Sequence, residues 1–179
     1  MALWLLASVW CLLLIAAALS AVLGNGAAFT SYAASAALVL WARPRRQRSV
    51  SIVGATLAGA SGWVALPAWL VIVAIAGAAL GLERPRGVPQ SPSTPLLWLA
   101  NVALAPLFEE LLYRERVLPA LRARVGAPFA LILSSAAFAA PHLEPWSVLT
   151  TFLVGFALGG VFLASDRVEL CIAHHAGLN

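Results

Sequence analysis

Three clusters of chemically active side chains interrupt otherwise apolar sequence: Glu109-Glu110 with Arg114, then His142, then His174-His175 with Asn179. Each ionisable group at bilayer depth costs on the order of 2.5–3.5 kcal/mol on insertion scales, so by default it marks a functional site. On a helix Glu110 and Arg114 are four residues apart and can neutralise each other, while Glu109 points about 100° away. One carboxylate therefore has a local partner and the other does not. His175 and Asn179 are also four apart and can face one cavity, with His174 directed elsewhere. Phe138 and His142 have the same spacing and are expected on one helix face, bent at Pro141. Taken singly, each cluster has a plainer reading. The carboxylates could sit at a hairpin end and reach the headgroups, and a histidine in a membrane segment can be an interhelical hydrogen-bond partner. Burying all of these polar groups together without a role is expensive.

The segments that must position these residues follow from the apolar runs. Residues 1–23 are long enough to span a bilayer and lack the charged start of a signal peptide, so an uncleaved helix is expected. A turn at Gly24-Asn25-Gly26 leads to a second apolar segment, 27–42, and then to the basic loop Arg43-Pro44-Arg45-Arg46-Gln47-Arg48. The positive-inside rule puts this loop, and with it the N-terminus, in the cytoplasm. Residues 50–82 are apolar for longer than one ordinary span and admit either one tilted helix or a span plus a re-entrant piece. Residues 83–95 form a polar, proline-rich loop. A long helix is then expected over 96–124, bent at Pro106 and broken again near Pro119. Its end is amphipathic, with Val117, Leu118 and Leu121 opposed to Arg116, Arg122 and Arg124, as suits a cytoplasmic interface. Further apolar segments cover 128–141, 146–164 and 168–179. Glu109 lies about 22 Å before Arg124 and His142 about 24 Å after Gly126 at helical rise, so the two can meet at one depth.

Composition sets the class. Of 179 residues, 62% are hydrophobic and 10% charged, against about 25% charged in soluble domains. Mean hydropathy is +0.93. The expected architecture is an all-α, polytopic membrane bundle of about 6–8 transmembrane helices. N-terminal helices and the polar loop occupy 1–94, and the site lies on a helical core at 95–179. The net charge of +4 comes from eleven arginines and no lysine. These lie beside apolar segments as topology signals, and nothing in the pattern indicates nucleic-acid binding. Cys11 and Cys171 lie far apart in apolar runs, offer neither a disulfide framework nor a metal motif, and are expected as small core residues.

The ordered set Glu109-Glu110-x-x-x-Arg114, Phe138-x-x-x-His142 and His175-x-x-x-Asn179, with Ala105-Pro106 before the carboxylates, resembles the CAAX prenyl protease 2 and bacteriocin-processing (CPBP, or Abi) family of intramembrane proteases, in its prokaryotic branch. The motifs span about the last 75 residues, and the first 95 match only as generic membrane helices. The resemblance implies an endopeptidase of the bacterial inner (cell) membrane. It would act on a peptide or membrane-protein segment near the membrane surface. Glu109 would be the general base for a water, with His142 and His175 holding the water or the scissile carbonyl. Asn179, with a histidine, would stabilise the oxyanion. Glu110, Arg114 and Phe138 would support them. The family is described both as glutamate-dependent and as metal-dependent, and Glu109, His142 and His175 also make a set for zinc or another divalent ion with one open position.

Two features depart from the family pattern. Glu115 and Arg116 stand where a small glycine usually follows the motif arginine. The segment from Val168 is about 18 Å long as a helix, too short to span, so either the C-terminus lies in a wet cavity or, as expected in preference, the protein continues beyond Asn179. Two other readings remain: a non-catalytic immunity or scaffold protein of the same fold, and a small transporter using Glu and His as a proton relay. The absence of a detectable repeat counts against the transporter.

Overall fold

The computed structural model describes residues 33–35, 37–38, 68, 70–83 and 94–179. Expectations for 1–23, for the loops at 24–26 and 43–48, for most of 27–42 and 50–69, and for all of 84–93 lie outside these residues. Within them all regular structure is helical. In chain order the helices are α1 (Leu70–Ala79), α2 (Pro95–Val125), α3 (Ala127–Ala139), α4 (Pro145–Ser165) and α5 (Val168–Leu178). Residues 33–35 and 37–38 are also helical. Among the described residues, α2 and α4 are long and apolar enough to cross a membrane. With 21 residues, α4 spans about 31 Å, close to the thickness of a hydrocarbon core. The expected total of 6–8 spans depends on segments outside the described residues.

The helix limits are set by local chemistry. Thr94 caps α2 by accepting the Leu97 N–H at 3.3 Å, with Pro95 as the first helical residue. Gly126, at φ 79°, ends α2 and separates it from α3, a conformation that favours glycine. Glu144 caps α4, accepting from the Trp146 and Ser147 N–H groups at 2.9 and 2.7 Å. Asp166 closes α4 in the left-handed region at φ 53°.

Neither proline breaks α2. A proline removes a backbone donor, and its ring collides with the carbonyl four residues back. Here each collision is relieved by a π-helical turn immediately upstream. The first covers Ala100–Leu104 before Pro106, with the Ala105 N–H bonded to the Ala100 carbonyl. The second covers Tyr113–Val117 before Pro119, with the Leu118 N–H bonded to the Tyr113 carbonyl. The second π turn itself carries Arg116. Arg116, expected with Arg122 and Arg124 on the polar face, is instead buried, while the other two are exposed.

The helices pack as α2 on α3 and α5, α3 on α4, and α4 on α5. Small residues permit the closest approaches. A Cβ at Gly155 would lie 2.9 Å from the Phe138 ring, and one at Gly159 would lie 2.4 Å from Leu131. The core contains Phe108, Leu111, Leu112, Leu118, Leu158 and Cys171. Cys171 is fully buried, as expected of a small core residue, and its Sγ donates to the Leu158 carbonyl at 3.4 Å. Large apolar side chains also cover the outside, including Leu70, Val71 and Ile75 on α1 and Phe129, Ile132 and Leu133 on α3. Such a surface suits lipid better than water.

Candidate active site

Among the described residues, the largest fully buried side chain is a cation, Arg114. A buried charge must be paired and hydrogen-bonded to be tolerated. Arg114 Nε lies 3.0 Å from Glu110 Oε2, with the two side chains 1% and 0% exposed. One terminal nitrogen of Arg114 donates to the Gly155 carbonyl on α4 at 3.1 Å. The guanidinium also sits 4.3 Å from the centre of the Phe138 ring. Glycine at 155 thus lets the α4 backbone approach both the arginine and the ring.

Glu110 has a second partner. Its Oε1 lies 2.9 Å from His175 Nδ1, joining α2 to α5. A carboxylate beside Nδ1 favours the tautomer that carries its proton there. The other ring nitrogen, Nε2, faces Glu109 Oε2 at 3.8 Å, beyond hydrogen-bond range. The Phe138 ring packs edge-on against both His175 and Tyr113, with centroids 5.8 and 5.2 Å apart. The adjacent glutamates therefore have different surroundings. Glu110 is sealed between Arg114 and His175, whereas the Glu109 side chain is 19% exposed.

Glu109 opens into a cavity of about 430 Å³. Its wall includes His142, His175 and Asn179, so all four residues expected to act together border the same space. His142 arrives there differently from the expectation. Helix α3 stops at Ala139, and His142 sits in the following turn, where its N–H bonds to the Ala139 carbonyl at 2.9 Å. Pro141 ends the helical run, so Phe138 and His142 do not share a helix face, though both line the cavity. His142 Nδ1 is buried without a hydrogen-bond partner among the described residues. Asn179, just beyond α5, donates from Nδ2 to the Asn101 carbonyl at 2.8 Å. His174 does not border the cavity, consistent with the direction expected from the sequence.

Three polar wall residues were not anticipated: Asn101, Thr150 and Thr151. Their signal was faint, a neutral polar side chain or pair inside an apolar run. Apolar wall positions include Leu70 and Val73 on α1, Ala105 on α2 and Val154 on α4. Among the described residues no three His, Cys, Asp or Glu side chains are grouped to hold a metal ion. Glu109, His142 and His175 thus border one cavity without being grouped there as a ligand set.

Comparison with curated proteins and with solved structures gave no match. Residues 91–179 match the family model for type II CAAX prenyl endopeptidases, Rce1-like. That interval contains α2 to α5 and every residue of the Glu109 site except those supplied by α1. Over residues 91–179 the chain belongs to this Rce1-like family of CAAX proteases.

Proposed function

We propose that the protein is an intramembrane endopeptidase in which Glu109 activates water to hydrolyse a peptide bond near the membrane surface. Membership of a protease family supports a peptidase, and the apolar helices α2 and α4 support a membrane protein. One observation carries the assignment of the base. Of two adjacent carboxylates, Glu110 is committed to Arg114 and His175, and Glu109 is open to the cavity.

In this reading a water lies against Glu109 and His175 Nε2. Their 3.8 Å separation is too long for a direct hydrogen bond and suits one water that touches both. Glu109 takes a proton from the water as its oxygen bonds to the scissile carbonyl carbon. The developing oxyanion accepts hydrogen bonds from Asn179 Nδ2 and His142. The carbon–nitrogen bond then breaks, and the proton held by Glu109 passes to the leaving amine. Water supplies both the new carboxyl oxygen and the protons, so the step balances without another reactant.

The test is cleavage of membrane-tethered reporter peptides by lipid-reconstituted protein, beside His142→Ala and Asn179→Ala. The reading expects cleavage by wild type and a loss in both variants. Undiminished cleavage in both variants would remove them from the mechanism. A wild-type protein that binds the peptides and leaves them intact would favour a non-catalytic, partner-binding role.

A further inference from the structure

We infer that Pro106 and the backbone carbonyl of Asn101 position the Asn179 amide for its work in the cavity. The inference rests on the proposed role of Asn179 as an oxyanion donor. Because the Ala105 N–H bonds to the Ala100 carbonyl, five residues back, the Asn101 carbonyl loses the donor that a regular α-helix would give it. The next candidate, five residues beyond Asn101, is Pro106, which has no N–H. The π turn and the proline together leave the Asn101 carbonyl without a helical donor.

A backbone carbonyl freed from the helix ladder accepts from another donor within reach. Asn179 Nδ2 supplies it at 2.8 Å from across the cavity. Only the nitrogen end of the side-chain amide can face a carbonyl, so this bond fixes which way the amide is turned. It uses one of the two Nδ2 protons and leaves the other for a substrate oxygen. The Asn179 backbone is held as well, with its N–H bonded to the His175 carbonyl at 3.2 Å. Pro106 therefore acts on the amide through the α2 backbone, by way of the Asn101 carbonyl. Asn101 and Pro106 are positioning residues.

Pro106→Ala tests this. The new N–H can restore a regular helix, returning Ala105 to the Asn101 carbonyl, or can itself bond to that carbonyl across the π turn. Either outcome gives the carbonyl a backbone donor and releases Asn179. Alanine is a far better helix former than proline, so the melting temperature should hold or rise. Activity should move the opposite way, with kcat about tenfold lower and KM unchanged. On an Asn179→Ala background the same substitution should cost nothing further, because the two act as one unit.

A readout independent of activity accompanies the kinetics. The chain has three asparagines, at 25, 101 and 179, so ¹⁵N-asparagine labelling gives three side-chain amide pairs. The Asn179 pair is identified by its loss in Asn179→Ala. Its hydrogen-bonded proton should move upfield in Pro106→Ala. An unmoved Asn179 signal would overturn the inference, as would equal kcat losses from Pro106→Ala in the wild-type and Asn179→Ala backgrounds. If wild type cleaves nothing, the Glu109 mechanism fails and the amide signal still decides this point.

Discussion

His175 and Glu110 meet at 2.9 Å between Nδ1 and Oε1, and this contact turns the other face of the imidazole toward Glu109. The same carboxylate pairs with Arg114, so one buried glutamate orients the histidine and neutralises the arginine.

Glu110→Gln should impair both duties at once, and the kinetics read the first of them. Glutamine keeps the size but loses the charge that favours a proton on Nδ1. Losing a charge-assisted hydrogen bond of about 1.5–3 kcal/mol should lower kcat by roughly ten- to a hundredfold. Steady-state cleavage kinetics, with KM expected to change little, provide the check.

Arg114→Leu should be a folding defect first. It leaves Glu110 buried without its cation, and breaking such a pair costs about 3–5 kcal/mol. Removing both charges, as Glu110→Leu with Arg114→Leu, should recover part of that loss. Thermal unfolding of the three variants in matched lipid would show it; a double variant less stable than Arg114→Leu would count against the pairing argument.

Glycine substitutions along α4 should differ sharply in effect. Gly155→Ala would put a methyl 2.9 Å from the Phe138 ring and 3.4 Å from the Ser135 backbone, where neither neighbour moves easily. It should lower the melting temperature and disturb the stacking of Phe138 under Arg114. A Cβ at Gly160 meets nothing within 4 Å, so Gly160→Ala should be neutral or slightly stabilising. Melting temperatures of the two single variants test the contrast.

The entry to α4 should be acid-sensitive. Hydrogen bonds from the Trp146 backbone, and then from Ser147, hold the Glu144 carboxyl below its ordinary range. A depressed folded-state pKa contributes stability above the unfolded value and loses it as pH falls through the folded one. Wild type should therefore lose its stability advantage over Glu144→Ala as pH drops below the usual carboxylate range, seen by comparing their melting temperatures across that window.

Much of the helical layout of 94–179 was legible because strong punctuation marks it. Thr94-Pro95, Gly126, Glu144-Pro145 and Asp166 each stop or start a helix for local reasons. What escaped were consequences of backbone register. A fixed 3.6-residue period cannot foresee the π turns, so Pro119 was read as a break, and Arg116, read as part of the polar face, is buried one turn after Leu112 and Tyr113. A spacing of four made His142 look like a helix neighbour of Phe138, although Pro141 hands it to a turn. Asn101, Thr150 and Thr151 reach the cavity through contacts distant in sequence, which no local pattern encodes. The Gly155-x-x-x-Gly159 spacing is readable as a close-packing signal, but its partners on α3 emerge only in three dimensions.

The most direct measurement is single-turnover cleavage of a membrane-tethered peptide by Glu109→Gln beside wild type, with both shown to have the same melting temperature. If Glu109 is the base, the variant should be folded and slower by about 10²–10⁴-fold, the range expected for loss of general-base catalysis. Cleavage by Glu109→Gln at the wild-type rate would contradict the assignment and move the search for the base to another cavity residue.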